Sequence, residues 1–306
     1  MTTPTPSLLL QAAAAAAGSQ QYPAAALYVV ATPIGNLADL TLRAIHVLSL
    51  VDAVACEDTR HTAPLLRHLG LDKPLLAVHQ HNEQSSAGDV ITRLARGERV
   101  AYVSDAGTPA ISDPGAALVA AVAASGRTVV AIPGASSAVT AVSVAGDTVG
   151  SGFRFIGFLP PKGNERSLAL KALAAADETQ VLFEAPHRIE SLAQGLAEAC
   201  GARAVTLCRE LTKQFETVAT LPASALPSWL AADANRLRGE FVLVLHAVAP
   251  TAAVDATARH DVVLQTLLAE LPLKQAVSLA ATLTGAPRNA LYARALALKD
   301  EPATDP

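Results

Sequence analysis

Short apolar runs and longer amphipathic stretches alternate through the first half of the chain. Residues 27–31, 53–56, 75–78, 100–104 and 128–132 are apolar runs of buried-strand length. Residues from about 39 to 50, near 64–69 and from 83 to about 96 carry helical patterning between them. Strand alternating with helix predicts a parallel sheet with crossover helices over residues 25–148. The apolar pattern breaks at the glycine-bearing stretch 146–152, which marks a domain boundary. Beyond it, residues 154–158, 180–183, 204–208, 217–221 and 240–247 read as strands with fewer crossover helices between them. A second α/β domain over 149–248 with a mixed or antiparallel sheet is therefore expected. Residues 249–260 read as a linker. Residues 261–300 carry two amphipathic stretches, 273–283 and 288–299, around the turn Thr284-Gly285-Ala286-Pro287. That outline suits a helix-turn-helix or a plain helical hairpin.

Composition narrows the class. Of 306 residues about half are apolar and 16% are charged, which excludes a disordered chain. The formal net charge of −4 provides no global attraction for nucleic acid, so any RNA contact must come from a local basic patch. Three widely spaced cysteines without a C-x-x-C pair argue against a disulfide framework or zinc site and suit a reducing cytoplasm. Residues 8–10 are leucine and an alanine run extends to residue 17, but no Lys or Arg precedes Arg43, unlike a secretory signal. Residues 1–24 therefore read as a disordered, alanine-rich extension. No apolar segment has the length and flanks of a membrane span.

The candidate chemistry lies in the loops. VSDAGTPAISDPG continues from the end of the fourth predicted strand and VAIPGASS from the end of the fifth, each rich in glycine, proline and small residues. Such loops expose backbone N–H groups, and open α/β sheets bind ligands where strands end. Asp105 can receive a hydroxyl, an amine or a cation, while Gly107 lets a ligand lie against the backbone. The competing reading, an aspartate capping its own turn, weakens because Pro133-Gly134-Ala135-Ser136 ends the neighbouring strand. The first turn, Thr32-Pro33-Ile34-Gly35-Asn36, lacks the G-x-G-x-x-G fingerprint, and no P-loop is present, so dinucleotide and nucleoside-triphosphate chemistry are disfavoured. Glu57-Asp58-Thr59-Arg60 crowds ionisable groups at one strand end, either as an ion-pair network or as the lining of a substrate cleft. His79, His81 and Glu83 invite a metal reading that no further ligand cluster supports, and no metal is expected. The cations Lys274, Arg288, Arg294 and Lys299 have no acidic residue in their own segment, which suits either a helical cap or an RNA contact.

In order along the chain stand ATPIGNLADLTLRA, CEDTR, HQHNE, VSDAGTPAISDPG, IPGASSAVTA, GFLPPKG, FEAPHR, CRELTK and GEFVLVL. Together they closely resemble the ribosomal RNA small-subunit methyltransferase I family, within the tetrapyrrole-methylase-like (class III) methyltransferases. The resemblance covers about residues 27 to 247, and the helical C-terminus also looks like that family's terminal module. It implies two α/β domains of tetrapyrrole-methylase type with S-adenosylmethionine in the cleft between them. The implied activity is 2′-O-methylation of a decoding-centre cytidine in bacterial 16S rRNA, within the small ribosomal subunit, by a cytoplasmic enzyme that is a homodimer.

Carried over by residue, the resemblance implies cofactor contacts from Thr32, Pro33 and Gly35, and from Asp105, Ala106, Gly107 and Thr108. Pro133, Gly134, Ala135 and Ser136 would approach from the next strand end. Phe158, Leu159, Glu184, Ala185 and Leu211 would close the pocket from the second domain. The first turn departs from the G-x-G-P-G-D form of the tetrapyrrole enzymes, which favours the RNA-modifying branch. A ribose hydroxyl needs a proton acceptor, and Glu57, Asp58, His81 and Glu83 are the candidates, with Arg60 orienting a phosphate or carboxylate. Lys162, Arg166, His187, Arg188, Arg209 and Lys213, with Arg288 in the terminal module, are candidates to track RNA phosphates. Two other readings remain: a precorrin-type tetrapyrrole C-methyltransferase, and a non-catalytic ribosome-assembly factor.

Overall fold

The computed structural model describes residues 8–78, 83–249 and 254–300. The chain divides into two units, Met1–Ala247 and Val248–Pro306. The first unit opens with helix α1 (Leu8–Ala17) and contains two sheets. Its amino-terminal lobe alternates β1 (Ala26–Val30), α2 (Leu42–Leu50), β2 (Ala53–Cys56), α3 (Thr59–His68), β3 (Leu75–Ala77) and α4 (Glu83–Ala95). The series continues with β4 (Val100–Val103), α5 (Ala116–Ala124), β5 (Thr128–Ile132) and α6 (Ser137–Ala145). The strands are parallel in the order β3-β2-β4-β1-β5. Every residue of AVAC in β2 and VAYV in β4 is buried, as expected for interior strands covered on both faces.

The second lobe runs β6 (Phe153–Phe158), α7 (Gly163–Ala175), β7 (Thr179–Glu184), α8 (Ile189–Cys200), β8 (Ala204–Arg209), β9 (Thr217–Pro222), α9 (Leu226–Ala231) and β10 (Phe241–Leu245). Its order is β6-β7-β10-β8-β9. Strands β6 and β7 pair in parallel, and the other pairs are antiparallel, so the sheet is mixed as expected. The last strand of the lobe, FVLVL, sits in the middle of the sheet and is buried along its whole length. Helix α6 belongs in sequence to the first lobe, yet its Ala138, Ala141 and Ala145 pack with Val181, Cys208 and Val244 of the second sheet. Alanine lets the helix approach closely, and the shared core fixes the lobes against each other.

In the second unit α10 (Val254–Glu270), α11 (Leu273–Thr284) and α12 (Arg288–Asp300) pack around Leu264, Val277, Ala280, Leu291 and Ala295. Gly285 ends α11 at φ 69°, the left-handed cap that the Thr-Gly-Ala-Pro turn requires. Among the described residues no helix is long and apolar enough to cross a membrane.

Three boundaries differ from expectation. The alanine-rich extension is ordered over residues 8–24: Ala13 of α1 is fully buried in the first-lobe core, and the Tyr22 ring lies 5.0 Å from that of His46 on α2. A run of alanines has high helix propensity and presents a flat face to α2, so low complexity here encodes packing rather than mobility. Residues 1–7 lie outside the described residues. Helix α3 starts at Thr59 instead of near residue 64, because the Asp58 side chain accepts the Arg60 N–H as an N-cap and Pro64 is carried within the helix. Helix α10 begins at Val254, inside the expected linker.

Candidate active site at the strand ends

The loops leaving the carboxyl ends of β1, β2, β4 and β5 meet on one edge of the first sheet. Thr32 and Gly107 form a two-way backbone bridge, with N–O distances of 2.9 and 3.0 Å, that ties the β1 turn to the β4 loop. The Thr108 hydroxyl donates to Ala135 O at 2.9 Å and joins the β5 loop to the same group. Gly107 adopts φ 81°, a conformation L side chains avoid, and a Cβ there would lie 3.3 Å from Ile34. At Gly134 a Cβ would come within 3.0 Å of the Ala31 side chain. These glycines serve close approach of backbones.

A cavity of about 380 Å³, the size of a small-molecule site, opens between these loops and the second lobe. Of the residues expected at a cofactor, Ala106, Gly107, Thr108 and Ser136 line it from the first lobe. Phe158, Glu184, Ala185 and Leu211 line it from the second. The others sit behind this wall. Thr32 braces Ser104 O at 3.2 Å, and Leu159 is buried with its carbonyl accepting from Arg188 at 2.6 Å. Gly35 lies beneath Lys213, Ala135 accepts from Thr108, and Pro133 and Gly134 lead into the β5 turn. Asp105 faces away from the described cavity wall toward α3.

Sequence reasoning missed the remaining walls. Ile34, Phe183 and Val242 line the cavity but look like ordinary core residues along the chain. Glu210 and Thr212 adopt φ 53° and 67° on either side of the lining residue Leu211, a strained geometry that clusters at functional sites. Glu210 is fastened twice to Glu240, its N–H donating to Glu240 O and its Oε1 accepting the Glu240 N–H, and a Cβ on Gly239 would meet its side chain at 2.4 Å. That clash explains the glycine of GEFVLVL.

Glu184 is the one fully buried carboxylate of the wall. Its Oε1 accepts from Ala185 N and lies 3.0 Å from Arg188 Nε, while Arg166 approaches Oε2 at 3.8 Å. Glu184 Oε2 makes no hydrogen bond among the described residues and is closed off from solvent, with Arg166 as its counter-charge. This also corrects two phosphate-tracking assignments. Arg166 is buried, donating to Pro160 O, and Arg188 is turned inward, because the buried Glu184 charge requires both. Lys213 is likewise engaged, 2.8 Å from Glu210 and 2.9 Å from Glu240, with its stem over Gly35. Arg209 donates to Arg238 O and Phe215 O. Lys162 and His187 are exposed, as is Arg288 in the second unit. In that unit Arg294 is not free of acid: Asp261 on α10 holds it at 2.7 Å.

Beside the cavity stands an ionic group. Asp58 is gripped by Arg60 through Nε at 2.9–3.0 Å, which holds its carboxyl down at about 2. Asp105 accepts the Asp58 N–H at 3.1 Å on one oxygen and meets His61 Nδ1 at 2.7 Å on the other. Burial pushes the Glu57 carboxyl up, and the like charges of Asp113, Asp105 and Asp58 push it further. Asp113, on the cavity wall, is raised by burial and by Asp105. His81 lies outside the described residues, and so does the side chain of Glu83, the first residue of α4. His61 was not singled out from the sequence.

The family description "Tetrapyrrole (Corrin/Porphyrin) Methylases" matches residues 26–227, and "RsmI C-terminal HTH domain" matches residues 254–299. The ribosomal RNA small subunit methyltransferase I of Pseudomonas aeruginosa is 48% identical over 275 residues, 89% of this chain and 97% of that one. The chain belongs to the ribosomal RNA small subunit methyltransferase I family. The member from Escherichia coli O157:H7 is 46% identical over 272 residues, 88% of this chain and 94% of its own. A uroporphyrin-III C-methyltransferase from Thermus thermophilus, solved with S-adenosylhomocysteine, shares the fold. Its TM-score is 0.51 at 16% identity, over 72% of this chain and 96% of that one. The two α/β lobes thus have the tetrapyrrole-methylase fold, and the terminal helices match the second family description.

Proposed function

We propose that this protein transfers a methyl group from S-adenosylmethionine to the 2′-oxygen of a cytidine in the decoding centre of 16S rRNA, acting on the small ribosomal subunit in the cytoplasm as a homodimer. The observation that carries the reading is close similarity, near 48% identity over almost the whole length, to proteins named for methylating small-subunit ribosomal RNA. Residues 25–148 and 149–248 act as the two domains that enclose the cofactor, and 261–300 as an RNA-directed module.

The cavity suits the cofactor chemically. Gly107 lets a ligand lie against the main chain, Phe158 and Phe183 offer apolar faces, and the Asp113 and Glu240 carboxylates stand on the same wall. S-adenosylmethionine, when bound, supplies an activated methyl carbon and its own leaving group, so the chain need only align and deprotonate. The strained Glu210–Thr212 turn holds Leu211 against the cavity, and the Thr32–Gly107 bridge keeps the opposite wall rigid. Lys162 and His187 stand exposed on the loops of GFLPPKG and FEAPHR, where phosphates can be met.

The test incubates the full chain with labelled S-adenosylmethionine and either unmethylated small subunits or a precorrin. Label recovered in a ribose-methylated, alkali-resistant dinucleotide of 16S rRNA supports the reading. Label on the macrocycle would replace it with a tetrapyrrole C-methyltransferase, the second activity that the fold accommodates. Cofactor or subunit binding without transfer would indicate an assembly factor.

A further inference from the structure

We propose that His61, oriented by Asp105, is the general base that takes the proton from the ribose 2′-hydroxyl; this rests on the methyl-transfer reading above. The four acids and histidines marked from sequence lack either suitable chemistry or a described position. Asp58 is held ionised and capped by Arg60, and a carboxylate that weakly basic is a poor acceptor for a hydroxyl proton. Glu57 stands among three like charges, Asp58, Asp105 and Asp113, and no hydrogen bond among the described residues holds its carboxylate in a fixed direction. His61 differs in geometry. Its Nδ1 is taken by Asp105 Oδ2 at 2.7 Å, which fixes the proton on Nδ1 and leaves the lone pair on Nε2. Asp105 is itself held by the Asp58 backbone N–H, so the carboxylate cannot swing away.

The imidazole lies in the first turn of α3, its side chain 64% exposed, and nothing among the described residues bonds Nε2. Asp105 points from the wall toward α3, but it directly precedes Ala106 and Gly107 of the lining and its charge is felt by Asp113 on the wall, so the dyad borders the outer edge of the cavity. The charged groups around it are Asp58 and Arg60 at the start of α3, Glu57 at the end of β2, and Asp105 with Asp113 in the loop after β4. Asp58, His61 and Asp105 place one donor atom each within 4.8 Å of one another, but Arg60 and the His61–Asp105 contact already occupy those atoms. In the step itself the O–H proton passes to Nε2 as the O–CH₃ bond forms. The S–CH₃ bond breaks with its electron pair left on sulfur, and the imidazolium paired with Asp105 later releases the proton to water.

Asp105 raises the His61 pKa above its usual value through the hydrogen bond and its charge. The neutral, accepting imidazole therefore prevails only above a pH somewhat higher than the ordinary histidine midpoint near 6.5. Single-turnover methylation of small subunits by the full chain should rise with pH through that midpoint and then level. His61→Asn keeps a donor for Asp105 but no base; it should lose about 100-fold or more in rate. Its affinity for S-adenosylmethionine by calorimetry should stay within about threefold of wild type. Free imidazole should restore His61→Ala in proportion to its concentration, which a structural role would not do. By NMR the His61 pKa should fall in Asp105→Asn. A wild-type chain that methylates while His61→Asn matches it within threefold overturns the dyad alone. So does a rate that is abolished by chelator and restored by a divalent cation. A wild-type chain that leaves ribose unmethylated overturns the reaction reading and the dyad with it.

Discussion

Asp147 sits at the joint between the lobes, directly after the left-handed Gly146 that ends α6. Its carboxylate accepts from the Thr179 hydroxyl at 2.6 Å, from Ala247 N at 2.7 Å, and from Val149 N and Gly150 N at 3.0 and 3.2 Å. One side chain thereby fastens the connecting loop to the start of β7 and to the second residue after β10. Burial alone would raise its pKa, but the four donors outweigh burial and bring it down from 3.8 to about 2. A shift of that size corresponds to about 2.4 kcal/mol, trimmed to about 1–2 kcal/mol by the solvent that reaches the group. The folded pKa is depressed, so this stability is complete above the unfolded value of 3.8 and is lost as pH falls toward 2. About half is gone by pH 3. Asp147→Asn removes the charge and one acceptor, and it should destabilise the first unit by about 1–2 kcal/mol at pH 6. Urea unfolding followed by the single tryptophan, Trp229, which packs in the second-lobe core, provides the assay. The gap between wild type and Asp147→Asn should narrow by about 0.5–1 kcal/mol between pH 6 and pH 3. A gap that stays constant over this range, or widens, would refute the assignment of the charge to these four donors.

Glu184→Ala strips the counter-charge from Arg166 and Arg188 and should cost about 3–5 kcal/mol by urea unfolding. Glu184→Gln, which keeps the shape but drops the charge, should cost less by the same measurement. Gly107→Ala forces a side chain into φ 81° against Ile34; a loss of about 1–2 kcal/mol in stability is expected, together with weaker cofactor binding. Removing residues 1–24 uncovers the face of α2 that buries Ala13 and Ala17; thermal unfolding should report a loss of about 2 kcal/mol or more, where a dispensable extension would leave the midpoint unchanged.

The strands were legible wherever burial on both faces demanded unbroken apolar runs, as in AVAC, VAYV and FVLVL. The loop chemistry of the first lobe was legible for a related reason: only Gly, Pro and small residues allow backbones to meet as Thr32 and Gly107 do, so composition itself marked the place. Charges were less readable. Arg166 and Arg188 have the residue type and loop position of phosphate contacts, and only the buried partner, Glu184, shows that they are spoken for. A formal charge count along the chain does not distinguish a cation that faces solvent from one that neutralises the interior.

Topology accounts for the walls that sequence reasoning missed. Because β10 inserts between β7 and β8, Phe241 is paired with Glu184 on one side and Arg209 on the other. Residues separated by more than fifty positions thus become one continuous surface, and Val242 faces the cavity through a register that local pattern does not reveal. The same insertion sets Glu240 beside the strained Glu210 and lets Lys213 reach both while lying across Gly35 of the opposite lobe. The cleft is therefore closed by a lysine whose charge is already spent within the protein. Its aliphatic stem, rather than its ammonium, touches the first-lobe turn. A cation so placed packs on the β1 turn while Glu210 and Glu240 neutralise its charge, so it adds little positive potential where the lobes meet.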